Sequence, residues 1–203
     1  MSGARVDLSP YWRVLPSSPP EPERPGAPIL RIAPGQGFGD GSHETTQLCL
    51  MAIGYLARTG SRPQRLLDFG AGTGILSIAG ALLGARVEAV EIDPRALTEA
   101  AENAQLNGVQ AAIETRTTLS EPPSSFDLVV ANILLPVLLD FAEALAARLS
   151  PAGHLVLSGL VATDVPALRA RYGPLLPGHA PEIYARGQWR AVVYAPGRSA
   201  AQA

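Results

Sequence analysis

The chain contains no lysine and only one cysteine, and both scarcities limit its chemistry. All 16 of its basic residues are arginines, against 18 acidic residues in 203. The absence of lysine excludes a catalytic lysine amine or a lysine Schiff base. The single Cys49 cannot form an internal disulfide, and its apolar surroundings predict a buried helical position and a reducing, cytoplasmic setting.

Strong charge and long apolar runs are also missing. The formal net charge is −2 and no basic run occurs, so direct nucleic-acid binding is not expected. The longest apolar stretch, from 128 to 139, is interrupted by Asn132 and Pro136, and residues 1 to 12 have no apolar signal core. Neither secretion nor contact with a membrane is predicted.

The chain is long enough for one well-buried domain, since 47% of its 203 residues are hydrophobic. Frequent prolines from Pro10 to Pro34 predict an extended arm over residues 1–36, without regular helix or central strand. The globular domain is predicted over residues 37–195, and a flexible tail over residues 196–203.

Strand and helix patterns alternate within the globular domain. Helices are predicted over 43–58, 75–83, 94–107, 134–149 and 163–172, and strands over 65–69, 86–92, 110–115, 126–132, 154–160, 182–185 and 189–194. This alternation predicts an α/β fold, a Rossmann-like doubly wound and mostly parallel sheet of about seven strands with helices on both faces. The last two strands are predicted to close it as an antiparallel hairpin.

The most informative motif is LLDFGAGTG, an apolar strand that ends in a glycine-rich turn. Gly70, Gly72 and Gly74 allow a tight turn with no Cβ to keep a ligand from the backbone. A dinucleotide fingerprint needs a further glycine where Ile75 stands. With Asp68 ahead of the turn, the pattern favours S-adenosylmethionine, an adenosine ligand with an amino-acid end. A tight turn without any ligand is the alternative for this motif alone.

A second acid strengthens the prediction of a nucleoside site. Glu91 lies 21 residues beyond Gly70, at the predicted carboxyl end of the second parallel strand, where such sheets bind ligands. A carboxylate there can accept hydrogen bonds from both hydroxyls of a ribose. Glu91 and Asp93 could instead both cap the helix that begins at Pro94. We assign Asp93 to the cap and Glu91 to the ribose.

Two more segments are predicted to reach the same crevice. Asn132 ends an apolar strand, and its amide is predicted to orient a substrate nitrogen, with a loop anchor as the alternative. The glycine-dense loop 35–46 is predicted to fold over the cofactor, with Phe38 covering it and Thr46 binding its amino-acid end. Ser42 can cap the helix after this loop. His43 has no second ligand at metal spacing, so no metal site is predicted.

Several segments resemble, in order, those of the ribosomal protein L11 methyltransferase family: FGDGSHETT, LDFGAGTGILSIA, AVEIDPRAL, ENAQLNGV, FDLVVANIL, LSGL and QWRAVVYA. The similarity covers residues 29 to 194. It implies a class I S-adenosylmethionine-dependent methyltransferase with cofactor contacts at Thr46, Gly70, Glu91 and Asn132. It also implies methylation of a protein amine, on a lysine side chain or an N-terminus, with a ribosomal protein as the expected partner.

The chain departs from the family pattern in three ways. Asp40 stands where the family usually has Thr, and Glu91 stands where it usually has Asp. The family also carries a separate N-terminal domain that presents the substrate, whereas about forty residues precede the matching core here, so we expect that domain to be lacking. The alternatives are a small-molecule methyltransferase, a lysine methyltransferase of an electron-transfer flavoprotein subunit, and a non-catalytic cofactor-binding module. The sequence identifies no general base.

Overall fold

The N-terminal region forms a small sheet of three strands in the computed structural model, which describes residues 5–17, 27–33, 35, 38–121 and 124–197. The strands are β1 (Val6–Leu8), β2 (Trp12–Pro16) and β3 (Ile29–Ile32). β2 lies in the middle, antiparallel to β1 and parallel to β3.

The prediction of an extended arm without a central strand is therefore wrong for the described part of residues 1–36. Pro10 lies in the turn before β2, Pro16 is the last residue of β2, and Pro28 precedes β3. Prolines at strand ends remove few of the N–H groups that the ladder needs, so they border the strands without interrupting them. The other prolines of the arm (Pro19, Pro20, Pro22, Pro25 and Pro34) lie outside the described residues.

A seven-stranded sheet with helices on both faces follows. Its strands are β4 (Arg65–Phe69), β5 (Arg86–Val90), β6 (Ile113–Arg116), β7 (Phe126–Asn132), β8 (Leu149–Val161), β9 (His179–Arg186) and β10 (Trp189–Pro196). They lie side by side in the order β6-β5-β4-β7-β8-β10-β9. The first five run parallel and β10 is antiparallel to both neighbours, so the predicted doubly wound fold with a closing hairpin is confirmed.

Six α-helices accompany the strands in the described part of the chain. They are α1 (Glu44–Arg58), α2 (Ile75–Leu82), α3 (Pro94–Leu106), α4 (Leu135–Asp140), α5 (Ala142–Ala146) and α6 (Val165–Tyr172). No described helix is long and apolar enough to cross a membrane. The predicted helices α1, α2 and α3 are confirmed to within two residues at each end.

The single helix predicted over residues 134–149 is wrong. The chain forms α4 and α5 instead and is already extended at Leu149, which pairs with Phe126 of β7. Pro151 is tolerated in β8 because it lies in a register shift against β7, and pairing with β10 begins only at Leu155. The strand predicted over 110–115 begins later, at Ile113, after a short 3₁₀ turn.

Two apolar cores lie on opposite faces of the large sheet. One joins the small sheet to α1, α2 and β4, and the fully buried Trp12 belongs to it. The Nε1–H of Trp12 donates to the carbonyl oxygen of Leu50 in α1 at 2.7 Å. The predicted burial of Cys49 in α1 is confirmed, and this burial raises the pKa of its thiol to about 12. The other core lies beneath α4, α5 and α6.

Two asparagines of α3 connect the small sheet to the glycine turn. The side-chain amide of Asn107 accepts from the N–H of Arg31 at 2.9 Å and donates to the carbonyl of the same residue at 2.7 Å. The amide of Asn103 accepts from the N–H of Ala33 at 2.9 Å and donates to the carbonyl of Thr73 at 3.0 Å. β3 and the turn are thereby held to one face of α3.

Candidate functional site

The glycine turn between β4 and α2 lies at the carboxyl edge of the parallel strands. Gly70, Gly72 and Gly74 have φ angles of +84°, +53° and +79°, in the left-handed region that favours glycine. A Cβ on Gly70 would overlap the side chain of Ile133, and one on Gly72 would lie 2.5 Å from the carbonyl oxygen of Phe38. These two glycines are required by both conformation and space.

The carboxylate of Glu91 binds the same turn. Glu91 follows β5 directly, and its Oε2 accepts from the N–H of Gly72 at 3.0 Å while Oε1 accepts from the N–H of Asp93 at 3.1 Å. An ionised carboxylate has about four acceptor positions, so the half-buried Glu91 keeps capacity for ligand hydroxyls. Asp93 accepts from the N–H of Arg95 and is the N-cap of α3, as predicted.

Asp68 lies beneath the turn and is almost fully buried. Its Oδ2 accepts from the N–H of Ser77 at 2.9 Å and from the Ser77 hydroxyl at 2.6 Å, which holds α2 to β4. Burial raises the pKa of the Asp68 carboxyl to about 6, the bonds from Ser77 act against the rise, and the charge of Glu91 adds to it. Within the described part of the chain Oδ1 has no hydrogen-bond partner. Direct contact of Asp68 with the cofactor stays a prediction.

Asn132 and Thr46 meet beside the turn. Asn132 ends the central strand β7, and its Nδ2 donates to the hydroxyl of Thr46, in the first turn of α1, at 3.3 Å. The Oδ1 of Asn132 is buried and has no hydrogen-bond partner among the described residues. Because a buried acceptor without a donor costs about 1–3 kcal/mol, this oxygen marks a place that suits a donor from a ligand.

The loop ahead of α1 lies directly on the glycine turn. The N–H of Thr73 donates to the carbonyl of Phe38 at 3.2 Å, and the Thr73 hydroxyl donates to the carbonyl of Gly39 at 2.7 Å. The Phe38 side chain is 57% exposed at the rim of the site. The loop is thus held against the turn, and its folding over a cofactor, with Phe38 as the cover, stays a prediction.

His43 caps α1, so the cap predicted at Ser42 is wrong. The Nδ1 of His43 accepts from the N–H of Thr45 at 3.3 Å. The hydroxyl of Ser42, one residue before the cap, donates to the carboxylate of Asp40 at 2.6 Å. The His43 ring fixes the loop between two other rings: its centroid lies 5.3 Å from that of Phe38 and 4.8 Å from that of Trp189.

Sequence reasoning missed two residues that position this site. Trp189 supports the loop through its ring contact with His43. Ser158 of β8 lies opposite Asn132, is fully buried, and donates to the carbonyls of Arg190 at 3.1 Å and Thr45 at 3.4 Å. Each of these contacts joins residues more than thirty positions apart in the chain, so no local sequence pattern predicts them.

Comparison with known proteins gives a consistent family. Residues 3–195 match the family model described as ribosomal protein L11 methyltransferase (PrmA). The protein named ribosomal protein L11 methyltransferase from Xanthomonas axonopodis pv. citri (strain 306) is 41% identical over 174 residues, which cover 85% of this chain and 56% of the relative. The protein of the same name from Geobacter sulfurreducens is 44% identical over 160 residues, 78% of this chain and 50% of the relative.

A solved structure extends the similarity to the fold. The crystal structure of a ribosomal protein L11 methylase from Lactobacillus delbrueckii subsp. bulgaricus superimposes with a TM-score of 0.83 at 31% identity, covering 96% of this chain and 99% of that one. The chain spans about half the length of the curated relatives it matches. From the family match, the identities and the shared fold, the chain belongs to the ribosomal protein L11 methyltransferase family.

Proposed function

We propose that this chain transfers a methyl group from S-adenosylmethionine to an amine of a ribosomal protein. The observation that carries the proposal is the buried Oδ1 of Asn132, which has no partner in the described part of the chain and lies at the same sheet edge as the glycine turn and Glu91. A nucleoside-binding edge and an acceptor for an amine hydrogen then lie side by side on the carboxyl ends of the strands. Family membership supports the same reaction.

The described residues fit the cofactor. Glu91 has acceptor capacity for ribose hydroxyls, and glycine at positions 70 and 72 lets the turn pack directly against Ile133 and the loop at Phe38. The hydroxyl of Thr46 lies beside Asn132, where it suits the amino-acid end, and Phe38 lies at the rim as a cover. When bound, S-adenosylmethionine supplies a methyl group on a sulfonium, which is already electrophilic.

Asn132 aligns the acceptor nitrogen. Its Oδ1 accepts a hydrogen bond from the amine, which directs the nitrogen lone pair away from that contact and fixes the direction of attack. A lysine amine, with an ordinary pKa near 10.4, must lose a proton first. The buried surroundings of Asn132 disfavour the charged ammonium and so assist that loss. We assign no side chain of the chain as a general base.

Family membership supports the proposals for the substrate and for the cellular location. The named relatives act on ribosomal protein L11, so we propose a ribosomal protein as the partner, modified at a lysine or at its N-terminus. A ribosomal substrate supports a cytoplasmic setting for the reaction. We propose residues 37–195 as the catalytic domain, supported from the N-terminal side by the small sheet. Of the predicted tail, Pro196 pairs with His179 in the closing hairpin, and residues 198–203 lie outside the described residues.

The experiment for the substrate uses methyl-labelled S-adenosylmethionine. The purified chain is incubated with unmethylated recombinant ribosomal protein L11, and in a second arm with filtered metabolites from cells. We expect label on amine nitrogens of the ribosomal protein, located by mass spectrometry. Label on a metabolite alone would support a small-molecule enzyme instead. Binding of S-adenosylhomocysteine without any transfer would support a cofactor-binding module.

The experiment for the cofactor uses Glu91→Ala. Loss of charge-assisted bonds to the ribose costs about 1.5–3 kcal/mol, so affinity for S-adenosylhomocysteine should fall tenfold or more in calorimetry. Asp93→Ala is the matched control, because it removes a neighbouring carboxylate that only caps α3. Equal affinities of the two variants would contradict the ribose assignment.

A further inference from the structure

A second concave site lies on the face of the large sheet that α6 covers. A pocket of about 460 Å³ is bounded by α6 on one side and by β9 and β10 on the other. Its apolar walls come from Val165, Pro166 and Ala170 of α6 and from Pro181 of β9. This volume falls within the range of small-molecule sites, roughly 300–1,000 Å³.

The pocket is separate from the glycine turn. Tyr194, which forms part of its lining, pairs with Leu155 in β8, whereas Asn132 lies opposite Ser158 of the same strand. Three residues of strand correspond to about 10 Å, directed toward the amino ends of the parallel strands. The pocket therefore faces away from the edge where the proposed cofactor site lies.

Tyr194 brings an unused hydrogen-bond donor to this pocket. Its side chain is 1% exposed, yet its hydroxyl has no hydrogen-bond partner in the described part of the chain. Burial raises the pKa of the phenol, so the hydroxyl keeps its proton, and the nearby charge of Arg169 acts in the opposite direction. Buried tyrosine hydroxyls normally find a partner. The missing partner suits an acceptor atom of a ligand.

Arg169 brings a cation to the same pocket. It is exposed and forms no hydrogen bond or ion pair with any residue that the structure describes. Arg171, two residues further along α6, differs in this respect, because it donates to the carbonyl of Leu139 and pairs with Glu143. A planar guanidinium beside a phenolic hydroxyl is suited to a carboxylate.

His179 adds an acceptor. Its Nε2 faces the carbonyl of Gly153 at 3.2 Å. Since a carbonyl can only accept, Nε2 is the donor, and in this tautomer Nδ1 is an acceptor. That Nδ1 is buried and without a hydrogen-bond partner among the described residues.

We propose that this pocket binds a small 2-hydroxy acid with an apolar side chain. The carboxylate lies between Arg169 and the hydroxyl of Tyr194, the ligand hydroxyl donates to Nδ1 of His179, and the apolar body packs on α6 and Pro181. The site does not depend on methyl transfer, and it can be tested in the absence of both methyl donor and acceptor.

The test is a titration of the chain with mandelate, followed by amide chemical shifts in NMR spectra. We expect saturable shifts at α6 and at the start of β9. Phenylacetate, which lacks the hydroxyl, should bind about fivefold more weakly, and the neutral 1-phenylethane-1,2-diol at least tenfold more weakly. Absence of saturable shifts, or shifts centred on the glycine turn, would overturn the proposal.

Variants assign the contacts. Arg169→Gln and Tyr194→Phe should each weaken mandelate binding about tenfold. Arg171→Gln removes the same charge from the same helix outside the pocket and should leave the affinity unchanged; an equal loss in this control would refute the site. Without ligand, Tyr194→Phe should unfold at the same denaturant concentration as the unmodified chain or a higher one, because the hydroxyl has no hydrogen bond to lose among the described residues. A lower midpoint would show that the hydroxyl is already bonded and would overturn its assignment to the ligand.

Discussion

Among the described residues the side chain of Asn132 makes one hydrogen bond, to the hydroxyl of Thr46, and its Oδ1 is buried without a donor. If that oxygen aligns the acceptor amine, Asn132→Ala should lower the single-turnover rate of methyl transfer about a hundredfold, the range seen when one preorganised active-site contact is removed. Affinity for S-adenosylhomocysteine should change less than tenfold, because the lost contact acts mainly in the transition state. A wild-type rate at saturating cofactor would leave Asn132 as a loop anchor.

The buried Asp68 predicts a dependence of stability on pH. Its folded pKa of about 6 lies above the ordinary value of 3.8, so between these values the folded state holds a proton that the unfolded chain releases. The free energy of unfolding should therefore fall as pH rises from about 4 to 6, by about 3 kcal/mol in total.

Asp68→Asn isolates this contribution. The amide stays neutral and still offers an acceptor to Ser77, so the variant should lose that part of the pH dependence. Urea unfolding of both chains at pH 4, 5, 6 and 7 measures the difference. Parallel curves would show that the Asp68 carboxyl titrates as it does in the unfolded chain.

At the residue scale, the sequence predicts the positions of the polar side chains that lie at the ends of the strands. The positions of Glu91 and Asn132 could be predicted because the carboxyl ends of parallel strands meet at one edge of the sheet. The partners of Asp68 and His43 could not be predicted, since both depend on how a helix packs against a strand or a loop. Ser77 donates to the Oδ2 of Asp68, and Trp189 supports His43 from the far end of the chain.

Among the elements, the glycine turn allows the effect of a left-handed backbone conformation to be separated from the effect of a steric clash. Gly72→Ala adds a methyl group 2.5 Å from the carbonyl of Phe38, at a φ of +53°. Gly84→Ala adds one at +96°, where nothing lies within 4 Å. Both should lose about 1–2 kcal/mol of stability through the left-handed backbone. Only Gly72→Ala should also lose affinity for S-adenosylhomocysteine, by tenfold or more, because the loop and the turn must separate.

Denaturation and calorimetry on the two glycine variants decide the matter. Equal affinities would mean that the turn adapts to the added methyl group, and that its glycines serve the chain conformation alone.

Element boundaries were predictable where an apolar run ends at a turn. The strands at 65–69 and 126–132 agree with the structure residue for residue. The error at residues 134–149 has a different origin, because an apolar stretch with helical spacing contains two short helices, and a proline that normally stops a helix there stands inside a strand. The register shift against β7 and the late onset of pairing with β10 make Pro151 acceptable, and both belong to the tertiary structure.

For the whole molecule, the small N-terminal sheet is a structural part of the fold. Trp12→Ala should cost about 3–5 kcal/mol, because it empties a fully buried site and leaves the carbonyl of Leu50 without its donor. Trp12→Phe should cost less, since it keeps much of the apolar contact. Tyr55→Ala, on an exposed part of α1, is the control and should change stability little. Urea midpoints give the order, and a loss below 1 kcal/mol for Trp12→Ala would show that the small sheet is only loosely attached.

The asparagines of α3 give the protein a built-in reporter of motion at the turn. The N–H of Ala33 is held by the same side-chain amide that holds the carbonyl of Thr73. This proton can exchange with deuterium from solvent only when its hydrogen bond to Asn103 breaks. A movement of the Asn103 side chain that breaks this bond also breaks the bond to the turn. The rate of hydrogen exchange at the Ala33 amide therefore reports how often the turn opens. A ligand that stabilises the turn should slow this exchange, although the ligand does not contact the small sheet.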